Sequence, residues 1–336
     1  MMSGFNAVKK EENKIEDVPD EIVVVEKSKP LADTPTETVE QILPKSSGGI
    51  ASEVDAAVEV IGTHIFCGVI GFEGTGKSGI VMDSLTDEQI ANGDYILAVD
   101  FDGGAAACKS AYHRDKAANI RCLSPWVMAT EDRTTYDYPA THDRVMEIGR
   151  YAVSQAVKQN VSNYKGPRLA KFLVTAVDQW DNVCIVNMKV TELGKAKDGI
   201  EASDPNRLVG NQWNWSIRST RFHQLTAICR ELMRHGVEVY WETHLKAEVF
   251  RNEQTGSWKP DWEKNTDANL KQILWCSRVS VLDDDGQKTG KTEYTVEFWK
   301  ENTNIRLHGK KRVIAITRQD GEPEWYGLDE LKEGSL

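Results

Sequence analysis

The chemistry in this chain concentrates in one run, Gly71-Phe72-Glu73-Gly74-Thr75-Gly76-Lys77-Ser78, with Gly79 directly behind it. Glycines at 71, 74 and 76 let the backbone turn tightly enough for successive N–H groups to face inward, the arrangement that cradles phosphate oxygens at the start of a helix. Lys77 stands where an ammonium can reach β- and γ-phosphates, and Ser78 offers a hydroxyl to Mg²⁺. The apolar run 65–70 in front reads as a buried strand and residues 79–92 behind it as a helix. The spacing G-x-x-x-x-G-K-S therefore sits in the context that phosphate binding requires, where a glycine-rich turn with a chance Lys-Ser is the alternative. Gly71, Glu73, Gly74, Thr75, Gly76, Lys77, Ser78 and Gly79 are the expected nucleotide contacts, with Lys77 also a catalytic cation.

Turnover needs carboxylates as well. Asp178 closes the apolar run 171–177, so a rigid strand would aim it at the phosphate loop to hold Mg²⁺ with Ser78; the competing role is a helix N-cap. Asp102 ends Asp100-Phe101-Asp102 after the apolar run 95–99, and could orient and deprotonate an attacking water or merely cap the loop. Asp100-x-x-Gly103 also looks like a GTPase switch motif, yet no N-K-x-D follows, so ATP with Mg²⁺ is the better reading. His244 follows the run 237–241 and would sense a γ-phosphate by hydrogen bonding, or else serve structure alone. The remaining histidines have no metal-binding spacing.

A second group suits nucleic acid. Trp213, Trp215, Arg218 and Arg221 open a long helix after a polar loop holding Arg207, and could stack on single-stranded DNA bases and pair with phosphates. A tryptophan pair packing that helix onto a sheet is the alternative. The basic run 308–312, with Arg306, is either a charged hairpin end or an arginine finger for a neighbouring subunit's nucleotide.

These residues must be positioned by alternating strands and helices. Apolar runs at 65–70, 95–99, 171–177 and 237–241 and a short strand at 119–123 alternate with helical patterns at 79–92, 142–160, 180–190 and 213–235. The expected fold is α/β, with a mainly parallel sheet flanked by helices and ligands beyond the carboxyl ends of the strands. Stretches 278–282, 293–300 and 312–317 read as antiparallel strands added to it, and 251–267 as a surface excursion.

Residues 1–50 read as a disordered acidic tail and linker, 51–320 as the folded domain and 321–336 as a C-terminal tail. Within the first, 22–25 is either a docking motif for a partner protein or a solvated spacer. A net charge of −11 over 336 residues argues against a surface that grips nucleic acid everywhere, though not against a local basic groove. Six scattered cysteines without a C-x-x-C pair read as reduced and buried. Without a signal-peptide pattern or a long apolar run, the expected location is cytoplasmic, the host's if the source is viral, with no membrane contact.

The strand, phosphate loop and helix at 69–81, the strand ending VDFD, the strand LVTAVDQW and the later strand ending ETHLK together resemble the RecA-like P-loop ATPases. Within that group the chain is most similar to the small phage and archaeal RecA/RadA-type recombination ATPases, of AAA-family or Sak type. That resemblance covers roughly residues 61–317. It implies Asp102 in the place of the family's water-activating glutamate, Asp178 as the metal carboxylate and Thr243-His244 as the sensor pair. It also implies side-by-side assembly of identical subunits with ATP between them, and action on DNA in recombination or replication.

Overall fold

Strand β1 (Phe66–Gly71) is buried along its whole length because it has a parallel neighbour on each side and an apolar layer on each face. Its alternation sorts the side chains: Phe66 and Ile70 enter one core cluster, Cys67 and Val69 the other. The computed structural model describes residues 65–129, 134–188, 214–250, 253–317 and 321–336, all within the unit Ala56–Leu336. The N-terminal tail with its stretch 22–25, the loop 194–210, Arg207 and Trp213 lie outside the described residues.

The other strands are β2 (Tyr95–Val99), β3 (Ile120–Leu123), β4 (Leu169–Val174), β5 (Glu238–Thr243), β6 (Leu245–Phe250), β7 (Glu253–Pro260), β8 (Gln272–Leu282), β9 (Lys288–Glu301), β10 (Lys311–Thr317) and β11 (Pro323–Trp325). Nine of them form one sheet in the order β11-β10-β9-β8-β1-β5-β4-β2-β3, while β6 and β7 pair as a separate hairpin. From β3 to β8 the pairings are parallel, and β9, β10 and β11 continue antiparallel. The sheet is thus mostly parallel, as the alternating pattern requires.

Helices cover both faces. α1 (Lys77–Asp83) and α3 (Gly104–Tyr112) contribute Ile80, Val81 and Ala105 to one cluster. α4 (Tyr138–Gln159), α5 (Val177–Met188) and α6 (Asn214–Arg234) pack Val145, Trp180 and Phe222 into the other. No described helix is long and apolar enough to cross a membrane.

Several elements differ from the sequence reading, each for a local reason. The helix expected over 79–92 is two: α2 (Asp87–Ala91) starts afresh because the Thr86 hydroxyl accepts from Gln89 N and Gln89 Oε1 from Thr86 N, a reciprocal cap. α3 has no strong periodicity in the sequence. It is started instead by buried Asp100, whose carboxylate accepts from Ala105 N at 3.3 Å and Ala106 N at 2.9 Å. α4 begins before residue 142 because Asp137 accepts from Ala140 N at 2.9 Å and Pro139 stands in the first turn.

The stretch 251–267 is not simply a surface excursion. β7 pairs with β6, and Trp262 then turns into the core against Gly68, where an added Cβ would meet its ring at 2.8 Å. The short α7 (Thr266–Asn269) leads on to β8. Residues 321–336 join the domain as β11 and α8 (Asp329–Lys332), burying Leu328, Leu331 and Leu336. Lys332 and Lys116 both pair with Asp83 at the end of α1, at 3.1 and 3.0 Å.

Candidate functional site

The glycine-rich loop leaves β1 at the carboxyl end of the sheet. Gly71 has no room for a side chain, since a Cβ would lie 2.6 Å from both the Cys276 carbonyl oxygen and Thr75 Oγ1. Gly74 and Gly76 hold φ at 68° and 84°, a region that side chains disfavour. The Thr75 hydroxyl donates to the Phe72 carbonyl at 2.8 Å and closes the turn. Lys77 folds over the loop, its ammonium donating to the carbonyls of Gly71 at 3.2 Å and Phe72 at 2.9 Å.

A cleft of about 620 Å³ opens above this loop. Residues 73–79 form its floor, Asp102, Glu242, His244 and Arg278 its polar walls, and Tyr112, Tyr294 and Trp325 its aromatic side. The Tyr294 and Trp325 rings are stacked with centroids 6.4 Å apart, and Trp325 lies so close to the helix start that a Cβ on Gly79 would meet it at 2.0 Å.

Glu242 is the residue the sequence reading passed over. It lies at the carboxyl end of β5, which runs beside β1, and its Oε2 accepts from Ser78 Oγ at 2.7 Å. The side chain is buried, and its other oxygen has no hydrogen-bond partner. Burial pushes the carboxyl up to about 7, against the opposing pull of the Ser78 hydroxyl and the Lys77 ammonium. The available signal was an acidic residue inside an otherwise apolar strand, YWET.

Asp178 does not occupy the expected place. β4 ends at Val174, and the chain turns through Ala176, held at φ 45°, so that Asp178 falls in the first turn of α5. There its Oδ1 lies 3.4 Å from His244 Nδ1 and 3.5 Å from Thr243 Oγ1, and it does not line the cleft. The carboxylate beside Ser78 is Glu242 instead. The hydrogen bond to Asp178 raises the His244 pKa above its ordinary value, although burial opposes it. His244 itself lines the cleft.

Asp102 also lines the cleft, with Oδ1 3.0 Å from both the Thr175 hydroxyl and Gly104 N. Thr175 touches buried Asp100 as well, at 3.0 Å, so the two carboxylates share one hydroxyl. Burial raises the Asp100 carboxyl despite its backbone hydrogen bonds.

The residues proposed for nucleic acid stand apart. Trp215 is exposed, with the Arg218 guanidinium 5.6 Å from its ring. Arg218 is itself committed to Asp181 through a two-pronged pair, and Arg221 is partly buried; none of the three lines the cleft. In the basic run near the end, Lys311 pairs with Glu297 and Arg312 with Glu330, at 3.0 and 3.2 Å.

The described residues contain no cluster of three or more His, Cys, Asp or Glu able to hold a metal by themselves. The pair Ser78–Glu242 nonetheless suits a divalent cation that takes its remaining ligands from phosphate and water, because a buried carboxylate oxygen is left unpartnered there. Comparison with models of known protein families gives no match, and comparison with curated proteins gives none of significance.

Proposed function

We propose that this chain is a P-loop ATPase with a RecA-like core that binds ATP with Mg²⁺ and hydrolyses it. The observation that carries the reading is the pairing of Ser78 with a buried, half-satisfied Glu242 directly above a loop built from three obligatory glycines and Lys77. Such a site combines amide and ammonium donors for phosphate with hard oxygen donors for a cation. The aromatic wall of Tyr112, Tyr294 and Trp325 suits a planar base, which favours a nucleotide over inorganic phosphate.

Mg²⁺ would be held by Ser78 and Glu242 and, when bound, would neutralise charge on the phosphates. Lys77 and the loop amides stabilise charge developing on the phosphoryl oxygens. Asp102 orients the attacking water and takes its proton as the new O–P bond forms, and the electron pair of the broken P–O bond stays on the departing diphosphate. His244, steadied by Asp178, donates to the transferring group. Trp215 is the exposed aromatic at which single-stranded DNA would stack.

The test is phosphate release and calorimetric binding, with and without single-stranded DNA. Wild-type protein is expected to bind and turn over ATP, and Lys77→Ala to slow turnover about 10²–10³-fold. Binding without turnover would favour a nucleotide-stabilised structural module, and no binding at millimolar ATP would remove the reading altogether.

A further inference from the structure

Arg278 lies on β8, and the parallel register of β8 with β1 decides where its side chain goes. Cys276 is the partner of Gly71, the last residue of β1, and it faces the same core cluster as α1. Side chains two apart on a strand share a face, so Arg278 emerges on the side of α1, one step beyond the point where β1 becomes the phosphate loop. Its Nη1 donates to the Gly74 carbonyl at 3.4 Å, and a Cβ on Gly74 would lie 2.8 Å from that nitrogen. Glycine at 74 is needed for its φ of 68°, and the guanidinium lies against it.

Arg278 is one of several arginines with no carboxylate partner among the described residues, and the one of them that lines the cleft. Arg218, Arg234 and Arg312 each meet a carboxylate of the chain, and Arg121 lies on the ring of Tyr95. Among the described residues Arg278 meets none, and its only hydrogen bond goes to the loop. A second cation, Lys77, lines the same cleft. Among the described residues both cations bond only to carbonyls of the loop, within that cleft, where an anion with several acceptor oxygens could take them as donors.

We propose that Arg278 is the catalytic arginine of this site and acts in cis, on the nucleotide held by its own phosphate loop. The inference rests on the ATPase reading above. In the displacement, a water oxygen bonds to the γ-phosphorus, the bond from that phosphorus to the bridging oxygen breaks, and its electron pair remains on ADP. Asp102 accepts the water's proton, and inorganic phosphate is the other product. Negative charge grows on the bridging oxygen and persists on the three equatorial oxygens, and the fixed fork of the guanidinium can donate to both positions. A place on a sheet strand fixes this donor before the reaction begins. Two of the cations in the run 308–312 that could have come from a neighbour, Lys311 and Arg312, are held by Glu297 and Glu330 of the same chain.

The experiment compares full-length wild type, Arg278→Ala and Arg278→Lys in steady-state ATP hydrolysis and calorimetric MgATP binding. It then assays Arg278→Ala mixed with Lys77→Ala. The expected result is a loss of about 10³-fold or more in kcat for Arg278→Ala, slight recovery in Arg278→Lys, and affinity within about fivefold of wild type. The mixture is expected to stay inactive, because neither chain then has both its loop lysine and its own arginine.

Unchanged kcat in Arg278→Ala, or a change confined to KM, overturns the catalytic role. Activity restored by the Lys77→Ala partner overturns the cis assignment, since the arginine would then be crossing between subunits. Wild-type protein that binds no ATP or turns none over defeats the ATPase reading itself, and the inference with it. Because Arg278 is exposed and makes no ion pair among the described residues, Arg278→Ala is expected to unfold with the wild-type midpoint, and this control separates a catalytic loss from a folding one.

Discussion

Strand β5 carries a glutamate near each end, and the two live under opposite conditions. Glu238, Tyr240 and Glu242 share one face of the strand. At the amino end Glu238 is closed off, paired with buried Lys171 on β4 and accepting from the Tyr240 hydroxyl. At the carboxyl end Glu242 is more deeply buried, yet it has only Ser78 for company and one oxygen unmatched. Buried carboxylates are costly unless charge and hydrogen bonds offset the lost hydration. A pair completed by the chain's own groups is a structural feature, whereas one left open points to a ligand that completes it. The same contrast separates Arg218, satisfied by Asp181, from Arg278, which has no carboxylate among the described residues.

The sharpest test of that contrast has the largest expected effect. Lys171→Met should cost about 3–5 kcal/mol in chemical denaturation, because it strands a largely buried carboxylate. Glu242→Gln should leave the unfolding midpoint unmoved or raised, while about tenfold or more extra Mg²⁺ is needed for half-maximal hydrolysis. If both variants lost stability equally, the two ends of β5 would not differ in kind.

A second test moves to the far end of α1, where Asp83 is a closed site like Glu238. Burial pushes its carboxyl up, but Lys116 and Lys332 outweigh burial and hold it below the ordinary carboxylate value. A carboxyl lowered by folding contributes its stability above the unfolded pKa and loses it as pH falls through the folded one. Asp83→Asn should therefore be about 1.5–3 kcal/mol less stable than wild type at neutral pH. The difference should shrink on acidification below about pH 4, which thermal unfolding across a pH series would reveal. A constant difference would show that the ion pairs contribute nothing.

The third and smallest effect probes the aromatic side of the cleft. Gly79→Ala puts a methyl group into the Trp325 ring and should cost about 1–3 kcal/mol through overpacking, even though alanine favours a helix. Adding Trp325→Ala should recover part of that loss if the two sites are in contact, and additive losses in the double variant would deny it.

Much of this architecture is legible in the sequence. β1 and β2 fall within a residue of the expected runs because short apolar segments that end at Gly or Asp have few alternatives. Boundaries shifted where one side chain decided them, as with the Thr86 cap, the Asp137 cap and the Asp100 carboxylate that starts α3. Placing Trp262 on the surface failed because its burial depends on Gly68, far away in the chain.

The sequence by itself determined the glycine-rich loop: its glycines, Lys77 and Ser78 fall within eight residues, and the shape they take follows from their own backbone torsions. It could not say which carboxylate meets Ser78 or which guanidinium lies on Gly74. Those choices depend on β5 and β8 being the strands that flank β1, and on a register in which a single-residue slip would turn each side chain to the opposite face. Tertiary structure therefore set Glu242 and Arg278 at the cleft and left Asp178 to hold His244.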